Sequence, residues 1–209
     1  MEIVKDMELI PVNRLRSSRS FYTNYLKNML DFSFALLFFL LLMPLFLLVA
    51  IAISLDSSGP VLFRQKRVGK YGKEFTIYKF RTMYVDSPQE GLSPSSAMDP
   101  RITRLGRLLR RTSMDELPQL INILRGEMSF VGPRPEQKMI VEQVYSYYEK
   151  QRWLVKPGIT GLWQISPDRN KPIHANLHHD FLYIQNLSFA LDAKIVYKTI
   201  RVIIRSNTC

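Results

Sequence analysis

The sequence predicts an α+β chain, mostly helical, with a membrane-embedded helix broken at Pro44, a β-hairpin, and amphipathic interfacial helices beyond it. Three observations lead there. Phe32 to Leu55 is a run of 24 residues without a charge, bounded by Asp31 and Asp56. Two strand-like runs, Val61–Val68 and Glu74–Arg81, flank the turn Gly69-Lys70-Tyr71-Gly72-Lys73. Later segments place apolar residues at helical spacing with Arg or Lys on the opposite side.

The apolar run is long enough to cross a hydrocarbon core, which needs roughly 20 residues as a helix. A buried helix of a water-soluble core is seldom so long and so uniformly Leu, Phe and Val. A signal peptide fits poorly, because the run is too long and starts too far in. Orientation is normally set by the basic flank, yet Arg14, Arg16, Arg19 and Lys27 precede the run while Arg64, Lys66, Arg67 and Lys70 follow it. Both ends therefore ask for the cytoplasmic side. Proline removes a backbone hydrogen bond and bends a helix, and Met43-Pro44 sits near the midpoint. These residues fit a re-entrant hairpin and a kinked ordinary span equally well.

Beyond the predicted β-hairpin, its seven basic residues Arg64, Lys66, Arg67, Lys70, Lys73, Lys79 and Arg81 are expected to face anionic headgroups or water. Asp86 to Pro100, rich in Ser and Pro, reads as a loop. From Arg101 to Arg111 a helix is expected with Ile102, Leu105 and Leu109 on one face and Arg104, Arg107 and Arg111 on another, the pattern of a basic interfacial helix. A further helix begins at Ser113-Met114-Asp115-Glu116 and runs to about Arg125; serine and two acids in a first turn fit simple capping. Pro133 and Pro135 fix the backbone on both sides of Arg134, either to hold its guanidinium for a phosphate or merely as a rigid turn. Met139–Leu154 reads as an amphipathic helix, Lys156 to Gln164 as a two-glycine loop with a short apolar end, and Asp192–Arg205 as a helix with Lys194, Lys198, Arg201 and Arg205 along one side.

Composition narrows the chemistry. The chain has 209 residues, 46% apolar and 22% charged, so it is neither disordered nor fibrous. A net charge of +11 points to phosphates, whether on nucleic acid, on lipid headgroups or on a substrate. Cys209 is the single cysteine, which excludes an internal disulfide and a cysteine-based zinc site. Of the three histidines, His174, His178 and His179, the last two are adjacent, and adjacent positions of a regular helix or strand diverge, so a zinc reading is poor. Glycine-rich nucleotide loops are absent.

Several segments occur together and in order: Asp31 with the Pro44-broken run, Gly59-Pro60-Val61-Leu62-Phe63, Gln65-Lys66-Arg67-Val68-Gly69, Tyr78-Lys79-Phe80-Arg81-Thr82-Met83, Asp115-Glu116-Leu117-Pro118-Gln119-Leu120, Gly126 through Pro135, and Pro157-Gly158-Ile159-Thr160-Gly161. From about Tyr25 to Arg205 the chain resembles the bacterial sugar transferases, the monotopic phosphoglycosyl transferases. The resemblance implies transfer of a sugar-1-phosphate from a UDP-sugar to polyprenyl (undecaprenyl) phosphate with release of UMP, as the first membrane step of glycoconjugate synthesis. It implies Asp115 as nucleophile of a covalent aspartyl-phosphosugar, Mg²⁺ beside Asp115, and a re-entrant membrane segment at the bacterial cytoplasmic membrane, with the catalytic domain on the cytoplasmic face. Residues 1–24 are then an N-terminal polar and basic segment, 25–57 the re-entrant helix and 58–209 the catalytic domain. Arg110 and Arg134 are the arginines expected on phosphate oxygens. Pro133, Pro135, Gln164, Arg169 and Asp180 complete the expected substrate contacts, and Glu116 is expected to handle protons on the acceptor or leaving group. Membrane lipid is an expected partner, nucleic acid is not, and a homodimer is left open.

Two departures stand out. Met43 replaces a serine frequent before the proline, and Pro167-Asp168-Arg169-Asn170 stands where Gly-Arg-Asn is frequent, near the sugar or uridine. The chain shows neither the extra spans nor the added domain of larger members, so a minimal catalytic unit is expected. A membrane-anchored binder of anionic polymers, and a glycosyltransferase moving sugar without phosphate, are the rival readings; steep salt dependence would mark the first and UDP instead of UMP the second.

Overall fold

The computed structural model describes residues 20–88, 94, 96 and 98–204. Arg14, Arg16 and Arg19 of the basic flank, part of the Asp86–Pro100 loop, Arg205 and Cys209 lie outside the described residues.

A π-helical turn, Tyr22–Leu26, leads into α1 (Lys27–Leu41) and then α2 (Met43–Asp56). Leu42 breaks the pair, which bends by 61°, and Pro44 occupies the first turn of α2, where its missing N–H costs nothing. No single described helix is long and apolar enough to cross a membrane, whereas the bent pair together passes that test. The second leg, 14 residues, is about 21 Å long, short of the roughly 30 Å hydrocarbon core, while the first, Tyr22–Leu41, is uncharged only from Phe32 on. Phe32, Leu37, Leu40, Leu41, Met43, Leu47, Leu48 and Ile51 face outward from them.

Both legs return to the same body. At the base of α1, Asp31 Oδ1 accepts the Phe130 N–H at 3.3 Å and Lys27 Nζ meets Asp192 at 2.6 Å. At the end of α2, Arg81 donates to the Ser57 and Ser58 carbonyls at 2.5 and 2.8 Å, and Asp56 accepts the Leu105 N–H at 3.4 Å. Ala35 packs with Phe75, Ile77 and Leu120, while Val49 and Ile53 pack with Phe80 and Leu109.

The hairpin forms as expected, β1 (Leu62–Val68) pairing antiparallel with β2 (Glu74–Phe80). Its face assignment needs correction. Only some of the seven cations reach water: Arg67 pairs with Glu136 at 3.7 Å, Arg81 is buried on the end of α2, and Lys79 points to Glu116. One face is packed, with Phe75 and Ile77 against Ala35 of α1, while Arg64 and Lys66 alternate outward on β1.

Next, α3 (Arg104–Arg111) starts at Thr103, whose hydroxyl accepts the Gly106 N–H at 2.9 Å. Its Arg104, Arg107 and Arg111 are exposed and Leu105 and Leu109 turn inward, as the sequence pattern predicts. The helix expected from Ser113 is instead a 3₁₀ stretch, Met114–Gln119, followed by α4 (Leu120–Leu124). Ser113 caps nothing with its side chain; it sits at φ 57°, a left-handed turn unusual for a residue with a Cβ.

Strand β3 (Ser129–Val131) is followed by β4 (Glu136–Gln137), which adds to the free edge of β1, and by α5 (Lys138–Val144). The continuous helix expected over Met139–Leu154 stops at Tyr145 and resumes as a 3₁₀ stretch, Glu149–Leu154. The two-glycine loop contains β5 (Gly158–Thr160), parallel to β3. A Cβ on Gly158 would lie 2.1 Å from the Gly132 amide nitrogen, so the two backbones meet where only glycine fits. Finally α6 (His178–Asn186) and α7 (Phe189–Ile204) close the main core around Phe181, Tyr183, Ile184 and Ile195.

Candidate active site

Strand periodicity carries Phe75, Ile77 and Lys79 along one face of β2. The first two enter the core and the third ends on Glu116, with Lys79 Nζ 2.6 Å from Glu116 Oε1. The same oxygen accepts from Arg134 Nη2 at 2.8 Å. One carboxylate oxygen thus gathers two cations from elements far apart in sequence.

Each member is held from behind. Asn122 accepts the Tyr78 N–H at 3.2 Å and donates to the Thr76 carbonyl at 2.7 Å, locking α4 to the strand that carries Lys79. Arg152 Nη2 donates to the Arg134 carbonyl at 2.6 Å and forms an ion pair with Asp180 at 2.7 Å, all within the core. Arg67 Nη1 donates to the Pro135 carbonyl at 3.1 Å, and the Gly158 N–H to that of Pro133 at 2.9 Å. Pro133 and Pro135 therefore present carbonyls to the scaffold while Arg134 turns its guanidinium to the cleft.

Arg110 arrives from the end of α3. Gly106 lets that helix press on the end of β2, since a Cβ there would be 2.1 Å from the Thr82 carbonyl oxygen, and Arg110 Nε donates to Thr82 Oγ1 at 2.9 Å. The left-handed turn at Ser113 then reverses the chain into Asp115 and Glu116.

Asp115 is the uncommitted member: among the described residues no hydrogen bond is donated to its carboxylate. Burial pushes its carboxyl up to about 6; Lys79, Arg110 and Arg134 pull it back down, and the Glu116 charge works with burial. Burial also raises Glu116, but Arg134 and Lys79 outweigh it and hold that carboxyl far below the usual range. A carboxyl held so low is a poor proton carrier. Beside it, a small cleft is lined by Arg67, Ile77, Lys79, Gln119, Arg134 and Pro135, and the Gln119 amide nitrogen there is buried with no partner among the described residues.

The structure thus brings together Asp115, Glu116, Arg110 and Arg134, with Pro133 and Pro135 around the last. It does not bring Asp180 to them: that carboxylate lies buried against Arg152 and braces Arg134 from inside. Gln164 folds back to donate to the Ile159 carbonyl at 3.2 Å, and Arg169 lies on the separate 3₁₀ turn Pro167–Asn170. Sequence reasoning missed Lys79 and Gln119 as members of the cleft. The signal available for Lys79 was its place two residues beyond Ile77 on a strand with a buried row.

Comparison with known proteins gives the family. The family described as "Bacterial sugar transferase" matches residues 22–206. A UDP-N-acetylgalactosamine-undecaprenyl-phosphate N-acetylgalactosaminephosphotransferase of Aeromonas hydrophila is 42% identical over 86% of this chain and 44% of its own length. An undecaprenyl-phosphate glucose phosphotransferase of Komagataeibacter xylinus is 44% identical over 84% of this chain and 35% of its own length. The exopolysaccharide production protein PSS of Rhizobium leguminosarum bv. phaseoli is 42% identical over 84% of this chain and 93% of its own. The chain thus spans less than half of the first two relatives and nearly all of the third. With the family pattern matched across almost all described residues, the chain belongs to the bacterial sugar transferase family.

Proposed function

We propose that this chain transfers a sugar-1-phosphate from a UDP-sugar to undecaprenyl phosphate. One observation carries the reading: the Asp115 carboxylate, which accepts no hydrogen bond from the described residues, stands among Lys79, Arg110 and Arg134 while its neighbour Glu116 ties two of those cations in place. An anionic nucleophile can approach an anionic pyrophosphate only where fixed positive charge offsets the repulsion. In the first step an Asp115 oxygen attacks the phosphorus that bears the sugar. The bond from that phosphorus to the bridging oxygen breaks, and UMP leaves with the electron pair. In the second, a polyprenyl phosphate oxygen attacks the same phosphorus and the Asp115 carboxylate departs. Splitting the transfer lets the soluble and the lipid substrate be used in turn.

Arg134 and Arg110 offer planar donor forks to the phosphate oxygens. Glu116 orients Arg134 and Lys79 and stays ionised throughout. The donor set also fits Mg²⁺, which takes one or two carboxylates and fills its remaining positions with water and substrate phosphates. Asp115 and the second Glu116 oxygen are the groups that would hold it, and it would supply further charge neutralisation at phosphorus.

The proposal includes a monotopic arrangement, in which residues 25–57 enter and leave the membrane by one face and residues 58–209 form a catalytic domain on the cytoplasmic side. The 61° bend between α1 and α2, and the bonds that hold both far ends to one body, support it.

The test is release of UMP by purified protein in detergent with UDP-sugars, polyprenyl phosphate and Mg²⁺, beside Asp115→Asn. UMP from the parent alone supports the reading. UMP from both removes Asp115 as nucleophile, and UDP in place of UMP would sink the reaction type.

A further inference from the structure

Outside the candidate active site, Asp168, His178 and His179 form a second cluster. One nitrogen of each ring and one Asp168 oxygen all lie within 4.8 Å of one another. The histidine rings are 3.9 Å apart between centroids and tilted by 40°. The expectation that adjacent histidines diverge therefore fails here. They occupy the first two positions of α6, where the ring of His178 folds over that of His179, and Asp168 reaches them from the Pro167–Asn170 turn. His179 Nε2 lies 3.1 Å from Asp168 Oδ2, close to the spacing of about 3.4 Å between ligands on a tetrahedral zinc. His179 is 3% exposed, and its other nitrogen, Nδ1, is buried with no hydrogen-bond partner.

We propose that Asp168, His178 and His179 form a binding site for a divalent transition-metal ion of the zinc type. Two imidazole nitrogens and one carboxylate oxygen are the donors that borderline-soft cations take and that Mg²⁺ does not favour, so this site and the Asp115 carboxylates select different ions. Three protein ligands leave a fourth position for water. Lys171 Nζ, 2.8 Å from Asp168 Oδ1, competes with the cation but is largely exposed and free to swing away. A bound ion ties the turn carrying Arg169 to α6. The next residue of that helix is Asp180, which grips Arg152 and through it the Arg134 backbone.

The test uses the full chain without a histidine tag, stripped by chelator and free of Mg²⁺. Zn²⁺ affinity is read by competition with a chromophoric chelator, and the coordination by the visible bands of Co²⁺. One Zn²⁺ per chain is expected, with Co²⁺ bands of four- or five-coordinate type. Affinity is expected to fall more than about tenfold in His178→Ala and in Asp168→Asn, and to rise roughly two- to fivefold in Lys171→Ala. His178 is partly exposed, so its variant is expected to melt like the metal-free parent, which separates lost ligation from lost fold. No stoichiometric Zn²⁺ in the parent, or equal affinity in parent, His178→Ala and Asp168→Asn, overturns the proposal.

Discussion

Arg152 and Arg134 are each gripped by a carboxylate, at 2.7 Å from Asp180 and 2.8 Å from Glu116, yet the two pairs are built for opposite ends. The Arg152–Asp180 side chains are 2% and 4% exposed, and their partners are all protein: the Tyr145 hydroxyl and the Arg134 carbonyl complete the set. The Arg134–Glu116 side chains are 29% and 15% exposed, and Asp115 beside them accepts no hydrogen bond from the described residues. A sealed pair can only hold the fold, because nothing can replace either member. An open pair holds geometry while leaving donor capacity for an incoming phosphate. The first is the footing of the second, since Arg152 fixes the backbone that carries Arg134.

The largest effect that would break this contrast is on turnover. Asp115→Asn is expected to lower UMP release at least about a thousandfold while leaving the melting temperature unchanged or slightly raised, because a carboxyl held above its usual pKa opposes folding at neutral pH. Asp180→Ala is expected to do the reverse kind of damage. It strands a buried guanidinium and costs about 3–5 kcal/mol of stability, read by thermal unfolding in detergent, with Asp180→Asn losing less. Should Asp180→Ala melt like the parent, the sealed pair is no footing.

Acid sharpens the comparison further. Asp115, raised to about 6, takes up its proton as pH falls through that value, and the stability it withholds at neutral pH is restored. Glu116 is held below its unfolded value, so the stability it contributes is present above the ordinary glutamate pKa and is lost only when pH falls further. Between about pH 7 and pH 5, metal-free Asp115 is expected to take up its proton reversibly, as read by carboxyl NMR, with no change in near-UV dichroism. Lys79→Met, which removes a charge that pulls Asp115 down, is expected to move the midpoint of metal-free Asp115 titration upward, as read by carboxyl NMR. The smallest effect is at Ser113. With φ 57°, Ser113→Gly is expected to be neutral or slightly stabilising and Ser113→Val to lose about 1–2 kcal/mol.

Features set by local rules were readable from sequence. Pro44 places the bend, the Gly69–Lys73 turn places the hairpin, and the spacing of Leu105 and Leu109 against Arg104, Arg107 and Arg111 fixes the faces of α3. Asp115, Glu116, Arg110 and Arg134 are nominated through the family resemblance; read alone, the Ser113–Glu116 segment fits simple capping and Arg134 a rigid turn. What failed depended on distant partners. Lys79 looks like one more surface cation until Glu116 arrives from 37 residues away. Asp180 looks like a ligand for substrate until Arg152 is found buried beside it. The pairing of β3 with β5 rests on a glycine contact across 26 residues, from Gly132 to Gly158, which no local pattern announces. The 139–154 helix breaks at Tyr145, whose hydroxyl is drawn to Arg152.

The footing of α1 carries a consequence for how the chain is made. Tyr22 and Lys27 both bond to Asp192, 170 and 165 residues later. Ribosomes add roughly 5–20 residues per second, so the greasy leg emerges roughly ten to thirty seconds before the acid that receives its base exists. During that interval its amine and phenol lack the carboxylate that receives them in the folded chain. Docking of α7 is then the closing act for this end of the molecule, and a chain stalled before Asp192 would leave the base of α1 untied.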